Sequence, residues 1–373
     1  MADVAIVCGA GIVSGKEIMV LELITGLRQE GYAVDVVTSS WGSGEFRKRC
    51  ETLKFPTYIM RLGFISATLS WKSVYMTAHQ LFRWPGLLMS YSRFLISSHP
   101  RKVIHTNWHH LLLLAPFLKP ERDLFWLHEV IPNKSQYRVF FRWLERRLQC
   151  FVAVSHAAAA SLRRIGVAEK KIRIIHNGIS DPASAGAPVE HRDEQLIVGI
   201  VGQIGAWKGH EDLLEGFALV SPTAPAAQLH VFGKGSADYE AGLREKAASQ
   251  GIADRVVWHG FVSNRFDIYN QMDICVVPSR SHEPFPTVAI EAAFFGIPVI
   301  ATRQGGLPEI VSDRETGFLV DANQPAQLAS KLEMLLRDAR MRKAMGTRAR
   351  SRALEKFNRQ RFINDSVDLL KAG

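Results

Sequence analysis

The stretch that most constrains the fold of this chain is residues 278–309, which follow a short apolar segment at residues 273–277. Pro278 predicts the end of a strand, because proline has no N–H group to donate to a sheet ladder. Pro284 and Pro286 keep the next backbone segment extended, since each proline disfavours a helical conformation at the residue before it. The pattern therefore predicts a β-strand, a loop and then a helix.

The helix is predicted to begin at residue 286 or 287 and to end at Phe295, ahead of a buried strand at residues 297–301. Glu283 lies in the loop before this helix, and Glu291 lies about one turn inside it. Between them are the unpaired N–H groups of the first helical turn, which attract anions such as a diphosphate. Two unconnected glutamates on a buried strand–helix–strand unit would give the same spacing, so the spacing alone is weak evidence.

The surrounding residues are more specific. Residues 278–285 are Pro-Ser-x-x-x-Glu-Pro-Phe, residues 291–302 are Glu-Ala-x-x-x-Gly-x-Pro-Val-Ile-Ala-Thr, and residues 305–311 are Gly-Gly-x-Pro-Glu-Ile-Val. This set resembles the signature of the family 4 retaining glycosyltransferases. The resemblance implies an α/β protein of the GT-B fold, with two doubly wound, Rossmann-like parallel-sheet domains facing a central cleft. It also implies that Glu283 contacts the donor sugar and that Glu291 holds the nucleotide ribose.

The same resemblance implies that donor-binding residues flank the start of the helix. They are Phe285, Pro286, Thr287 and Val288. Pro286 stands where the family commonly has glycine, which removes one backbone donor. The N–H groups of Thr287 and Val288 are therefore the expected phosphate ligands.

A second phosphate-binding segment is expected at residues 202–209, Gly-Gln-Ile-Gly-Ala-Trp-Lys-Gly. The family pattern is Gly-Arg-x-x-x-x-Lys-Gly, in which the arginine and the lysine neutralise the diphosphate. Lys208 matches the lysine, but Gln203 replaces the arginine. The replacement predicts weaker donor binding or another cation in its place, with Arg280 and Arg303 as candidates.

The resemblance implies three further site residues. Gly260 and Val262 belong to the loop that contacts the base in the family. His128 ends a predicted strand at residues 123–128, where the family has a histidine that faces the sugar, and it is predicted to be a catalytic residue together with Glu283. A structural core histidine is the alternative for His128.

The first loop, residues 9–15, contains Gly9-x-Gly11 and allows a nicotinamide-dependent enzyme to be considered. Ser14 stands where that motif needs its third glycine, and no acidic residue for a ribose follows the second predicted strand. In the glycosyltransferase family this loop carries a Gly-Gly pair, which Ser14-Gly15 matches with one substitution. Gly15 is therefore expected to approach the donor phosphate or the acceptor, unless it only forms a tight turn.

The 373 residues are enough for two domains with separate cores. We predict an acceptor-binding domain at residues 1–182, a linker at 183–194, a nucleotide-sugar-binding domain at 195–355 and a C-terminal helix at 356–373 that returns to the first domain. No apolar run is long enough to span a membrane, the N-terminus does not resemble a signal peptide, and the cysteines are scattered. These features favour a cytoplasmic location.

The net charge of +10 is unevenly distributed. Residues 1–185 contain 24 Lys and Arg against 13 Asp and Glu, whereas residues 186–373 contain 22 against 23. The basic half indicates an anionic partner there: a membrane surface, a phosphorylated lipid acceptor or nucleic acid. Basic residues also lie near aromatic residues that we expect to be exposed: Trp71, Phe82, Trp84, Phe140 and Trp143.

Together these features predict a retaining, metal-independent glycosyltransferase that uses a UDP- or GDP-linked sugar and no cofactor. The expected acceptor is a glycan or a lipid-linked glycan of bacterial envelope polysaccharide assembly. Peripheral contact with the inner face of the cytoplasmic membrane is expected, and a nucleic-acid partner is not. The three histidines at 105, 109 and 110 are predicted to be structural, because no carboxylate or cysteine stands at ligand spacing. A non-catalytic carbohydrate- or anion-binding protein on the same fold remains the main alternative.

Overall fold

The computed structural model describes residues 2–9, 13–63, 71–185, 195–224 and 226–372. The chain forms two compact units. The first contains Met1–Gly178 together with Arg359–Gly373, and the second contains Ile179–Asn358. Gly11 and most of the predicted linker, residues 186–194, lie outside the described residues.

The first unit is built on a seven-stranded sheet with the order β3-β2-β1-β4-β5-β6-β7, in which all neighbouring strands are parallel. Its strands are β1 (Val4–Cys8), β2 (Val34–Ser39), β3 (Thr57–Met60), β4 (Lys102–His105), β5 (Asp123–Leu127), β6 (Cys150–Ala153) and β7 (Ile172–Ile174). Its helices are α1 (Gly15–Gln29), α2 (Glu45–Thr52), α3 (Trp71–Phe82), α4 (Trp84–Ser98), α5 (Trp108–Leu113), α6 (Ser135–Glu145), α7 (His156–Arg164) and α15 (Arg359–Lys371).

The central strands of this sheet are buried on both faces. Every residue of β1, β4, β5 and β6 is buried, as expected for parallel strands that helices cover on both sides. One core cluster joins β1 and β4 to α4 through Ala5, Val103, Tyr91 and Phe94. The apolar runs of the sequence therefore form the interior of a doubly wound sheet.

The C-terminal helix α15 packs within the first unit. A Cβ atom at Gly26 of α1 would overlap the side chain of Ile363, so glycine allows the two helices to approach closely. Phe362 makes an edge-to-face contact with Trp126 of β5 at 5.9 Å, and Arg359 pairs with Glu22 of α1 at 2.9 Å. Hydrophobic packing and an ion pair thus attach the end of the chain to the sheet formed by its beginning.

The second unit contains a six-stranded parallel sheet with the order β10-β9-β8-β11-β12-β13. Its strands are β8 (Ile197–Val201), β9 (Gln228–Phe232), β10 (Val256–Gly260), β11 (Ile274–Val277), β12 (Val299–Thr302) and β13 (Gly317–Val320). Its helices are α8 (His210–Val220), α9 (Ala237–Ser249), α10 (Arg265–Tyr269), α11 (Thr287–Phe294), α12 (Leu307–Ile310), α13 (Pro325–Arg337) and α14 (Ala339–Lys356).

The strand order of the second unit reverses between β8 and β11. The chain moves outward in one direction through β9 and β10, and in the other direction through β12 and β13. Ligands of open parallel sheets bind outside the carboxyl ends of the strands at such a reversal. The loops that follow β8 and β11 carry Lys208 and Glu283, so the topology places both predicted residues at this edge.

Candidate functional site

The carboxylate of Glu283 is held by two side chains. Lys208 Nζ lies 2.6 Å from Glu283 Oε2, and the hydroxyl of Ser279 donates to Oε1. Ser279 is itself fixed, because its carbonyl oxygen accepts a hydrogen bond of 2.7 Å from Thr302 Oγ1 at the end of β12. The structure thus brings together two residues that the sequence analysis had placed in separate motifs.

Gly305 and Gly306 pack closely against the loop that carries Glu283. The N–H group of Gly306 donates to the carbonyl oxygen of Glu283 at 2.8 Å. A Cβ atom at Gly305 would overlap that carbonyl, and one at Gly306 would overlap the carbonyl of Pro284. Gly305 also has a φ of 56°, a conformation that favours glycine. The Gly-Gly pair was noticed only as part of the resemblance, and its packing role was missed.

Lys208 is positioned by a second pair of glycines. Gly202, directly after β8, has a φ of 140°, and a Cβ atom there would lie 3.9 Å from Lys208 Nζ. Gly209 has a φ of 73°, and a Cβ atom there would overlap the carbonyl of Pro278 at the end of β11. The loop after β8 therefore lies directly against the loop after β11, which explains the contact between Lys208 and Glu283.

Gln203 is exposed at the position where the family has arginine. The two candidates for a replacement cation already have carboxylate partners. Arg280 binds Asp212 through two hydrogen bonds of 2.6 and 2.9 Å and Glu211 through one of 2.9 Å, and these bonds raise the pKa of Arg280. Arg303 pairs with Asp313 at 3.2 Å. Either guanidinium group would have to share or exchange its carboxylate partner to bind a phosphate.

Glu291 is buried inside α11, and both of its oxygens are engaged. Oε1 lies 3.0 Å from Arg265 Nε, and Oε2 accepts a hydrogen bond of 2.8 Å from the hydroxyl of Tyr269. Burial and the adjacent Glu291 charge raise the pKa of Tyr269 well above its ordinary value, so this phenol stays protonated and donates. Glu291, the residue predicted to bind the ribose, is therefore held in one orientation by two partners. Each of its oxygens keeps a second lone pair that can accept a further hydrogen bond.

The first turn of α11 begins where the sequence predicted it. Pro286 is the N-cap residue and the helix starts at Thr287. Within the described part of the chain, the N–H groups of Thr287 and Val288 have no acceptor. Phe285 is almost completely buried and packs against Phe357 with ring centroids 5.7 Å apart, so only its main chain can face a ligand.

Gly260 lies at the end of β10, at the same carboxyl edge of the sheet. It has a φ of 69°, and its carbonyl oxygen accepts a hydrogen bond of 2.7 Å from Gly233, which follows β9. Val262 is half-buried two residues later. The predicted base-contacting loop therefore joins the loop after β9 at the carboxyl edge.

Gly15 and His128 belong to the first unit. A Cβ atom at Gly15, the first residue of α1, would meet no atom of the described residues within 4 Å. His128 follows β5 and is half-buried; desolvation, and then the charge of Lys16, lower its pKa to about 3. The imidazole is therefore neutral at physiological pH and can offer one donor and one acceptor to a sugar hydroxyl.

The histidines at positions 105, 109 and 110 pack within the first unit. His105 contacts the Asp123 carboxylate at 2.7 Å, and both side chains are fully buried. His110 packs against Gly9, and burial lowers its pKa to about 3. His109 stacks on Trp108 with ring centroids 3.5 Å apart. Each of these three imidazoles thus has a packing or hydrogen-bond contact within the first unit.

Two family models match this chain. Residues 13–181 match the model described as Glycosyltransferase Family 4, and residues 186–352 match the model described as Glycosyl transferases group 1. The chain is 33% identical over 207 residues to D-inositol 3-phosphate glycosyltransferase of Segniliparus rotundus, covering 52% of this chain and 46% of that protein. It is 31% identical over 171 residues to the capsular polysaccharide biosynthesis glycosyltransferase CapM of Staphylococcus aureus, covering 45% and 44%. The matches thus span about half the length of these relatives.

The fold also matches a solved structure over its whole length. The Anabaena protein HepE, solved in complex with UDP and glucose, superposes with a TM-score of 0.82 at 18% identity and covers 100% of both chains. The two parallel sheets, the reversal of strand order in the second unit and the two adjacent family models lead to one assignment: this chain belongs to family 4 of the glycosyltransferases and has the GT-B fold.

Proposed function

We propose that this protein transfers a sugar from a UDP- or GDP-linked donor to an acceptor hydroxyl with retention of the anomeric configuration. The observation that carries the proposal is the contact of 2.6 Å between Lys208 and Glu283, a few residues before the unpaired amides of α11. A cation, a helix N-terminus and a carboxylate beside them suit a diphosphate joined to a sugar. HepE, which shares the fold, was solved with UDP and glucose, and this supports the donor class.

In this proposal Lys208 and the amides of Thr287 and Val288 bind the diphosphate, while Glu283 orients the sugar. The bond between the anomeric carbon and the diphosphate oxygen breaks as the acceptor oxygen bonds to the same face of that carbon. The acceptor proton passes to the departing diphosphate oxygen. Lys208 and the helix N-terminus stabilise the charge that develops on the leaving group, so the reaction needs no metal and no cofactor.

A panel of nucleotide sugars tests this proposal. We expect slow hydrolysis of one UDP- or GDP-linked sugar, undiminished by EDTA, and conversion of the α-linked donor to an α-linked product. Loss of activity on chelation with rescue by Mg²⁺ or Mn²⁺ would contradict metal independence. Binding of nucleotide sugars with no hydrolysis or transfer would favour the non-catalytic alternative.

For the acceptor we propose a glycan carried on a lipid, reached while the first unit contacts an anionic membrane. No Asp or Glu occurs from residue 52 to residue 120, a stretch with eight Lys and Arg. It includes α3 and α4, where Trp71 is 84% exposed, Phe82 is 86% exposed and Arg83 and Arg93 are also exposed. Exposed aromatic groups beside exposed arginines suit an anionic bilayer surface.

One further helix, α6, and the packing of three aromatic residues refine this surface. Val139 is 73% exposed beside Arg138 and Arg142 on α6, which adds a second basic and apolar patch. Trp84, by contrast, is half-buried and donates its indole N–H to the carbonyl of Leu113 at 2.7 Å, so it belongs to the packing of the unit. Phe140 and Trp143 are also half-buried. None of the helices in the described ranges combines the length and apolar character needed to cross a bilayer.

A further inference from the structure

The charges at the carboxyl edge of the second sheet are almost fully compensated. In the described residues, the loops at this edge and the helix start that follows β10 carry five Lys and Arg. Four of these cations have carboxylate partners: Lys208 with Glu283, Arg265 with Glu291, Arg280 with Asp212 and Arg303 with Asp313. Among the described residues of this edge, Lys234 is therefore the cation that can meet a diphosphate without first giving up a carboxylate partner.

Lys234 lies between the two loops that border the predicted phosphate position. Its carbonyl oxygen accepts a hydrogen bond of 2.9 Å from Ile204, the residue after Gln203. A Cβ atom at Gly233 would overlap the carbonyl of Gly202, and Gly233 also donates to Gly260 at 2.7 Å. The backbone of Lys234 is thus held beside the residue that replaces the family arginine.

The side chain of Lys234 is exposed and extends along the same edge. Its Cε lies 3.8 Å from the position that a Cβ atom would take at Gly260. Among the described residues, no carboxylate lies within ion-pair distance of its ammonium group. Glu240, the acidic residue that reaches this loop, accepts instead from the N–H of Gly235 at 2.6 Å.

We infer that Lys234 binds the diphosphate of the donor and supplies the positive charge that Gln203 no longer provides. This inference rests on the proposed function, because it assumes a nucleoside diphosphate ligand at the same edge. Gln203 is neutral and exposed, whereas Lys234 has three N–H donors on the neighbouring backbone segment. A charge-assisted bond from Lys234 therefore replaces the one that arginine makes elsewhere in the family.

The first experiment compares the binding of UDP and GDP with that of uridine and guanosine by isothermal titration. We expect Lys234→Ala to weaken binding of the preferred nucleoside diphosphate by about tenfold or more, since bonds to charged groups are among the strongest hydrogen bonds. Binding of the nucleoside should not change. Lys343→Ala, which removes an exposed lysine from α14 in the same unit, is the matched control and should bind like the original protein.

The second experiment adds Gln203→Arg. In the Lys234→Ala background this change should restore most of the lost affinity, whereas in the original protein it should have a smaller effect, because the charge is already present. If Gln203→Arg does not restore binding, the inference that Lys234 supplies the charge of the missing arginine is wrong.

The failures of the two proposals can be distinguished. If the original protein binds UDP or GDP and Lys234→Ala binds it equally well, the inference is wrong and the proposed function stands. An equal loss for the nucleoside and its diphosphate would place Lys234 at the base or ribose, which also overturns the inference. If the original protein binds neither diphosphate, both proposals fail.

Discussion

Glu283 and Lys208 neutralise each other when no ligand is present. Their contact of 2.6 Å joins the carboxylate proposed to orient the sugar to the cation proposed to bind the diphosphate. A bound diphosphate must therefore compete with Glu283 for Lys208, and binding would release the carboxylate toward the sugar. The two roles of these residues are coupled by a single ion pair.

This coupling predicts opposite effects of Glu283→Gln on binding and on turnover. Turnover should fall by about 100-fold or more, equivalent to ~3 kcal/mol of transition-state stabilisation, because the amide cannot replace the carboxylate at the sugar. Binding of the nucleoside diphosphate alone should become tighter, because the charge of Lys208 is no longer neutralised. Turnover assays and calorimetry measure the two effects.

Glu245→Gln, an exposed change on α9, is the control for this experiment and should alter neither quantity. Near-normal turnover of Glu283→Gln would remove Glu283 from the reacting centre. Weaker binding of the diphosphate would show that the ion pair does not oppose the ligand.

Buried histidines predict how the stability of each unit depends on pH. Burial lowers the pKa of His110 in the first unit to about 3 and that of His210 in the second unit to about 4, from 6.5. Below pH 6.5 the unfolded chain therefore binds protons that the folded chain does not, so the free energy of unfolding falls as the pH falls. The urea midpoint should be lower at pH 5 than at pH 7. An unchanged midpoint would show that these imidazoles are protonated in the folded state.

At the scale of elements, the short α12 and the loop before it support the loop that carries Glu283. Gly306→Ala would push a methyl group into the carbonyl of Pro284 and displace the Glu283 backbone that Gly306 holds at 2.8 Å. We expect turnover to fall by more than about tenfold and the melting temperature to decrease, because an overpacked contact of this kind costs ~1–3 kcal/mol.

Gly242→Ala is the matched control for this prediction. Gly242 lies in α9, and a Cβ atom there would meet nothing within 4 Å. The substitution should leave turnover unchanged and raise stability by up to ~1 kcal/mol through helix propensity. Equal behaviour of the two variants in turnover and melting assays would show that the Gly306 contact does not support the site.

Secondary structure was predicted well where the sequence pattern has a local cause. The prolines at 278, 284 and 286 place the end of β11 and the start of α11 correctly. Pro85 lies in the first turn of α4, where proline is tolerated. Asp338 separates α13 from α14 and caps α14 by accepting from the N–H of Met341 at 2.9 Å.

At the scale of the whole molecule, the basic charge is concentrated in the first unit, which also carries the two most exposed aromatic side chains of the described residues, Trp71 and Phe82. If this surface meets a membrane, the protein should co-sediment with anionic vesicles at low salt and not with neutral vesicles. Each basic residue near an anionic bilayer contributes about 1 kcal/mol of attraction, which salt at ~0.5 M screens within a few Å. Replacing Trp71 and Phe82 by serine should weaken the binding without unfolding the unit, because both side chains are largely exposed.

The replacement of exposed Leu354 on α14 in the second unit by serine is the control, and it should leave vesicle binding unchanged. Protein that stays in the supernatant with anionic vesicles at low salt would contradict the membrane proposal. A soluble glycan acceptor would then be favoured.

The sequence by itself determined the alternation of strands and helices, the GT-B family and the positions of Glu283, Lys208 and Glu291 relative to those elements. These properties depend on local rules, such as proline positions, apolar runs and motif spacing. Only the tertiary structure decided which positive charges have carboxylate partners and which remain available to bind an anionic ligand. Arg280 is neutralised by Asp212, 68 residues away, and Lys208 pairs with Glu283 across 75 residues, whereas Lys234 has no such partner in the described chain. Ion pairing depends on distances between side chains on separate loops and helices, and these distances exist only once the sheet has formed.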